Sequence, residues 1–397
     1  MRHSAEGKRK AQTLLVILRD RLTALVAKGE MVPRYYNPGD LFPRVVVLLL
    51  NSDRPSAKDT QLLFGSAEVQ FHNFTEPSFL RTLGFRPFLL DRWARQMLRF
   101  ALSTQPDLIR CYGNSFNGYL GAYLGKKLGV PCVISLHGNP DIDYYRGRRA
   151  TNLIKKLWGY AVEDLERLSV QRANLVLPVY SPIISYLKKH NVEHYKLIYN
   201  VVGYDRKTKE TYEAKDSDFR LICVGRQTSL EKDPSPILRA LVRLPTVSLV
   251  LIGNGDLHQS LIQLSKDLGI SGRVEFCEAL SNKEILASLA TYDAYVYCSD
   301  NYEISKTCME AALAGLPIIL NDRGGNPADE LRGGHFLLVE GTPQSYETAI
   351  RKIMGDPSFR KDLGTKGRGY AEKTWSPESM ENQVRAVYSK LTTDGFH

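Results

Sequence analysis

Between Tyr297 and Glu330 the chain reads YCSDNYEISKTCMEAALAGLPIILNDRGGNPADE. This spacing predicts a strand ending near Cys298, a short loop, and a helix that begins near Ser305 and closes at Ala314-Gly315, where glycine supplies a left-handed cap. A helix that starts directly after a strand presents free backbone N–H groups and the positive end of its dipole, which suits a phosphate. The amides of Ser305, Lys306 and Thr307 are the candidate cradle, and Lys306 adds charge. Glu310, one to two turns in, could accept two hydroxyl hydrogen bonds from a ribose, although a glutamate in a helix is ordinarily a solvated surface residue. A second group, LICVGRQTSLEKD from Leu221 to Asp233, ends a strand at Val224 and turns through Gly225-Arg226, with Lys232 six residues on. Arginine by bidentate contact and lysine as a point charge could neutralise a diphosphate, yet two cations in a loop are commonplace. In PCVISLHGNPD, His137 ends a third strand; a lone histidine is more often structural than catalytic. Asn114, in YGNSFNGYLGAYLG, could contact a ligand or simply cap the helix that follows.

Gly253-Asn254-Gly255 invites comparison with a dinucleotide fingerprint. His258 stands where the third glycine belongs, and the motif follows the second strand of its domain rather than the first, so a nicotinamide enzyme is poorly supported.

These residues need a scaffold of parallel strands covered by helices. In the first half the expected strands are Thr13–Leu18, Arg44–Leu50, Asp107–Cys111, Cys132–His137 and Leu175–Val179, each short and apolar, as strands covered on both faces are. Helical patterns run over Asp91–Leu102, Phe116–Leu128 and Thr151–Gln171. The polar segment Tyr204–Asp218 reads as an interdomain linker. A second series follows, with strands at Arg220–Val224, Ser248–Ile252, Val274–Cys277, Ala294–Tyr297, Pro317–Leu320 and Phe336–Val339. The reading is α/β: two doubly wound, Rossmann-like domains facing a central cleft, with ligand held at the strand C-termini. The expected divisions are 1–205, 206–375, and a C-terminal helix, 376–397, crossing back to the first domain.

At 397 residues the chain can bury two cores. No apolar run is long enough to span a bilayer, and the polar, basic N-terminus lacks the pattern of a secretory signal. Its six cysteines are widely spaced, with no Cys-x-x-Cys pair, which suits reduced thiols in the cytoplasm. The net charge of +10 is uneven: residues 1–205 carry 29 Lys and Arg against 17 Asp and Glu, the remainder 24 against 26. A basic half can face nucleic acid, an anionic membrane or a phosphorylated substrate, or merely water. No nucleic-acid-binding module is recognisable, so nucleic acid is not expected as a partner.

The stretch around Glu310 resembles the signature of retaining glycosyltransferases of the GT-B fold, family four. Glu310, Ala311, Gly315, Pro317, Gly324, Gly325 and Pro327 match as they stand. The resemblance implies that Glu310 holds the donor ribose and that an earlier glutamate contacts the donor sugar. Glu303 precedes Glu310 with only six residues between, and Tyr302 occupies the strict position, so Glu303 with a shortened loop is the reading taken. Gly225, Arg226 and Lys232 resemble the family's donor-phosphate group. The loop Glu278–Leu280, through Leu280, would border the nucleobase, and His137 matches the active-site histidine that approaches the donor sugar. Gly29 is the nearest counterpart of a glycine-rich loop over the phosphates. KLIYNVVGYDR resembles the interdomain motif, with Tyr199, Val201 and Tyr204 as departures. The match is specific from about residue 220 to 395, thinner from 107 to 205 and faint before 100.

The resemblance implies transfer, with retention, from a nucleotide sugar to a hydroxyl on a glycan, glycolipid or small glycoside. A UDP-sugar is the first choice of donor, with GDP- or ADP-sugar as alternatives, and no separate cofactor is needed. Asp141-Ile142-Asp143 has the form of the metal motif in the other major glycosyltransferase fold, but it lies away from the donor group, and no metal is expected. A nucleotide-sugar epimerase or a non-catalytic nucleotide-sugar binder on the same fold are the competing readings. Helix Thr151–Gln171, with Arg146, Arg148, Arg149, Lys155 and Lys156 nearby, could dock on an anionic inner membrane face, against the simpler reading of a core helix with a charged outer side.

Overall fold

The computed structural model describes residues 12–78, 85–141, 153–203, 206–213, 218–229, 232–278, 280–300, 303–322 and 328–393. The chain divides into two compact units. One gathers Met1–Ala27, Met31–Tyr199 and Met380–His397; the other Lys28–Glu30 and Asn200–Ser379.

The first unit holds strands β1 (Thr13–Leu18), β2 (Arg44–Leu49), β3 (Glu68–Asn73), β4 (Leu108–Tyr112), β5 (Cys132–Leu136) and β6 (Leu175–Pro178), all parallel, in the order β3-β2-β1-β4-β5-β6. The second holds β7 (Phe219–Val224), β8 (Val247–Ile252), β9 (Val274–Cys277), β10 (Ala294–Tyr297), β11 (Ile318–Asn321) and β12 (Leu337–Val339), also parallel, in the order β12-β11-β10-β7-β8-β9. Counted within each unit, both orders are the doubly wound 3-2-1-4-5-6. Chain direction then puts the loops after β7, β8 and β10 at one edge of the second sheet. Every residue of β1 is buried, as the continuous apolar run requires.

Three local expectations are corrected. Strand β3, EVQFHN, escapes the apolar-run criterion because it lies at the sheet edge and is largely exposed. The helical pattern over Asp91–Leu102 is two helices, Pro87–Arg95 and Leu98–Thr104, broken at Gln96-Met97. The polar segment Tyr204–Asp218 is not a free linker where it is described. Lys209 donates its amide to Ala314 O at 2.8 Å and its ammonium to Tyr292 O at 2.7 Å, and Tyr212 OH donates to Gly315 O at 2.8 Å. Burial lowers the Lys209 pKa, and Arg360, itself buried, donates to Tyr212 O at 2.7 Å. A polar composition thus hides a belt whose polar atoms are satisfied inside the second unit.

The last helix, Pro377–Thr393, contributes to the first unit from Met380 onward. Glu381 takes a two-pronged contact from Arg34 at 2.6 and 3.0 Å and the Gly39 amide at 2.8 Å, and Tyr388 is buried against Phe42. All six cysteines are free thiols. Among the described residues no helix is long and apolar enough to cross a membrane.

Candidate functional site

The candidate residues of the second unit cluster around the C-terminal end of β7. Gly225 follows the strand, its amide bonded to Ile252 O at 2.9 Å, and a Cβ there would stand 2.7 Å from the Tyr297 ring. The next loop presses on it. A Cβ at Gly253, whose φ is +134°, would lie 2.0 Å from Gly225 O, and one at Gly255 2.0 Å from Gln227 O. The Gly-Asn-Gly motif therefore serves close backbone packing. Gln227 locks the two loops together. Its amide donates to Asn254 O at 3.1 Å, its side-chain Nε2 donates to Gly253 O at 2.7 Å, and its side-chain Oε1 accepts from His258 Nδ1 at 2.8 Å. So His258, which breaks the dinucleotide pattern, has a buried structural task, and Arg226 projects exposed from a rigid turn.

Lys232 is fixed by a small hairpin: Thr228 and Lys232 exchange backbone hydrogen bonds of 3.1 and 3.0 Å. Its ammonium meets Glu303 Oε1 at 2.7 Å. Two residues 71 positions apart, drawn from separate motifs, thus form one ion pair. Tyr302, Gly324, Gly325 and Pro327 lie outside the described residues.

Helix Lys306–Leu313 starts as expected, with Ser305 as N-cap accepting from the Cys308 amide at 3.1 Å. The Thr307 hydroxyl donates to Val224 O at 3.2 Å and lies 3.0 Å from Tyr295 OH, which ties the helix start to the end of β7. Lys306 and Thr307 carry first-turn amides that no carbonyl within the helix can take. Gly315 closes the helix with φ of +85°.

Glu310 is 2% exposed. Its Oε1 accepts from Asn282 Nδ2 at 3.1 Å and from the Gly203 amide at 3.4 Å, whereas Oε2 is buried with no hydrogen-bond partner. Desolvation raises its pKa, and the two hydrogen bonds only partly offset this. Asn282 follows Ser281, the N-cap of helix Asn282–Ser288, which forms a capping box with Glu284. That box is legible in Ser-Asn-Lys-Glu and locates Asn282 on a helix start. Its contact with Glu310, like the role of Gln227, has no local sequence signal. Glu278 and Leu280, after β9, are exposed, and Gly29 takes a φ of +66° in the short piece that belongs to the second unit.

In the first unit His137 follows β5. Its ring lies over Tyr112 at 5.8 Å, and its carbonyl accepts from Tyr180 OH at 2.8 Å. Asn114 is buried, with Nδ2 unpartnered, and it is not the helix cap: Ser115 holds that position. Nearby Arg110 is buried within β4, donating to Ser135 Oγ and packing 4.6 Å from the Tyr112 ring centroid. Asp141 is engaged by Lys189 at 2.6 Å, and Asp143 lies outside the described residues.

Two family models match the chain: "Glycosyltransferase Family 4" over residues 44–206 and "Glycosyl transferases group 1" over 205–370. The chain is 32% identical over 146 residues to the lipopolysaccharide core biosynthesis glycosyltransferase LpsE of Rhizobium meliloti, covering 36% of this chain and 42% of that protein. It is 26% identical over 167 residues to the GDP-mannose-dependent alpha-(1-6)-phosphatidylinositol monomannoside mannosyltransferase of Mycolicibacterium smegmatis, covering 39% and 44%. The matched stretches thus span less than half of either relative. Among solved structures, the sucrose-phosphate synthase of Thermosynechococcus elongatus superposes with a TM-score of 0.68 at 15% identity, over 96% of this chain and 99% of that one.

Proposed function

Since the chain belongs to the family 4 glycosyltransferases and has their GT-B type of fold, we propose that it transfers a sugar from a nucleotide-diphosphate sugar to a hydroxyl acceptor, with retention at the anomeric carbon. The observation that carries this reading is Glu310 Oε2, a carboxylate oxygen buried without a donor. Such burial is costly unless a ligand completes the site, and a pair of ribose hydroxyls supplies the missing donors.

The other residues take their roles around that anchor. Arg226, Lys232 and the amides at Ser305–Thr307 stabilise the departing diphosphate, a fixed electrostatic environment that needs no rearrangement during the reaction. Glu303, oriented by Lys232, contacts the donor sugar, and Leu280 borders the nucleobase. Gly225 lets the chain pass close to the phosphates, with Gly29 contributing from the preceding short segment. His137 keeps the donor-sugar contact that the resemblance assigns to it. The bond from the anomeric carbon to the diphosphate oxygen breaks, and the acceptor oxygen bonds to that carbon from the same face. The acceptor's proton passes to the departing phosphate. A UDP-sugar is the donor placed first, with GDP- and ADP-sugars next; the Mycolicibacterium relative is named as GDP-mannose-dependent. The acceptor is a glycan or lipid-linked glycan, in keeping with the lipopolysaccharide and phosphatidylinositol mannoside in the relatives' names.

The test is release of nucleoside diphosphate from each donor with a glycan acceptor, followed by NMR of the product's anomeric configuration. The expected result is one productive donor and an unchanged configuration. An inverted product would remove the retaining mechanism, and binding without release would make the chain a nucleotide-sugar binder.

A further inference from the structure

The carboxylate of Glu310 is held through one oxygen, and the closer of the two donors that hold it is Asn282. Oε1 accepts from Asn282 Nδ2 at 3.1 Å and from the Gly203 amide at 3.4 Å, while Oε2 is buried without a partner. The last torsion of a glutamate is broad and nearly two-fold, so a carboxylate left to itself presents either oxygen. Two donors on one oxygen remove that ambiguity. Asn282 is itself fixed, because it opens helix Asn282–Ser288 directly after the Ser281–Glu284 capping box, in which the Ser281 amide donates to Glu284 Oε2 at 2.8 Å. Gly203 is pressed against the same helix: a Cβ there would stand 2.4 Å from Leu286 Cδ1 and 3.2 Å from Asn282 Oδ1. The junction lies wholly in the second unit and joins the segment before β7, the helix after β9 and the helix after β10.

We propose that Asn282 is a positioning residue for the nucleotide's ribose: by occupying Oε1 it leaves Oε2 to the ribose hydroxyls and keeps Glu310 in the form that accepts from both. The inference rests on the reading of Glu310 as the ribose anchor. An ionised carboxylate only accepts, whereas a protonated one gives up an acceptor site for an O–H donor. Burial favours the protonated form of Glu310; the Asn282 and Gly203 hydrogen bonds and the charge of Lys306 oppose it, and the charge of Glu30 reinforces it. Arg206 also faces the carboxylate. Asn282 therefore sets both the orientation and the charge of the group, without touching the nucleotide itself.

The test compares UDP, GDP and ADP with their 2′,3′-dideoxy forms by calorimetry on the full chain, as wild type, Asn282→Ala, Asn282→Asp and Asn282→Gln, over a series of pH values. Asn282→Ala should weaken the preferred nucleotide about tenfold, the scale of one hydrogen bond to a charged group, and its dideoxy form hardly at all. That difference is the coupling between Asn282 and the ribose hydroxyls. Binding is lost as pH falls through the Glu310 pKa, so this acid limit should move to higher pH in Asn282→Ala. It should move further in Asn282→Asp, where a second carboxylate faces Glu310. Aspartate suits a helix start, so that variant carries the test if alanine fails to fold. Asn282→Gln, which keeps an amide donor, should recover part of the affinity. Equal losses for the ribose and dideoxy nucleotides, or an acid limit that stays in place, would make Asn282 a structural residue and overturn the inference. Nucleotide binding lost in Glu310→Gln but untouched in Asn282→Ala would overturn it alone and leave the donor site standing. A wild type that binds no nucleotide would overturn both.

Discussion

The two units share one strand order but spend their buried polar atoms differently. In the second unit, charge at the strand ends is matched: Lys232 with Glu303, and Glu310 Oε1 with Asn282 and Gly203. Among these paired groups, Glu310 Oε2 is left buried without a hydrogen-bond partner. In the first unit, Arg110 lies buried among tyrosines with two of its nitrogens unpartnered, the third donating to Ser135 Oγ and the guanidinium packing on the Tyr112 ring. The same scaffold thus holds paired charges around one buried carboxylate in one unit and an aromatic, basic environment in the other. The fold sets where loops converge, and the loop residues decide the chemistry.

The largest effect should come from removing the cations of the second unit. Arg226→Ala with Lys232→Ala is expected to cost ~10²–10³ or more in turnover, because a single lost donor of this kind costs that much. Steady-state kinetics check it. Normal turnover would break the contrast between the units.

Next comes the loop clamp. Gly253→Ala puts a methyl 2.0 Å from Gly225 O at a φ of +134°, so a loss of at least ~2 kcal/mol is expected by denaturant unfolding. Gly129, in the first unit, also has positive φ but nothing within 4 Å. Gly129→Asn should therefore cost under about 1 kcal/mol, the smallest effect in the series.

Between these lies Glu310→Gln. Its folded-state pKa is raised by desolvation, so the folded state holds the proton more tightly than the unfolded chain. The stability this contributes is fully present below the unfolded value, near 4.3, and is lost as pH rises through the folded value. At neutral pH the buried carboxylate is a net cost. The glutamine variant, free of ligand, is expected to melt higher than wild type at neutral pH and to show a flatter stability profile above pH 4, while binding the donor more weakly. A lower melting temperature at neutral pH would mean that the carboxylate is already satisfied in the free protein.

Much of the second unit was legible because its motifs are local. A strand end, a turn glycine, two cations and a capped helix start all fall within short windows, and β9 and β10 were read to the residue. What escaped depends on tertiary distance. Asn282 reaches Glu310 across 28 positions and Gln227 meets His258 across 31, and neither pairing leaves a mark in spacing. Edge strand β3 was missed because exposure removes the apolar pattern by which strands are recognised. The packing of the segment around Lys209 escapes the sequence for the opposite reason: its composition is polar, yet these polar atoms are buried and satisfied.

The most direct measurement is a thermal-shift panel of UDP-, GDP- and ADP-sugars on wild type, Arg226→Ala Lys232→Ala and Glu310→Gln. One donor should raise the wild-type transition, by ~2.7 kcal/mol of stabilisation at a hundredfold excess over Kd, and both variants should lose most of that rise. A rise that survives in both variants would place the nucleotide elsewhere. No rise with any donor would contradict the donor site itself.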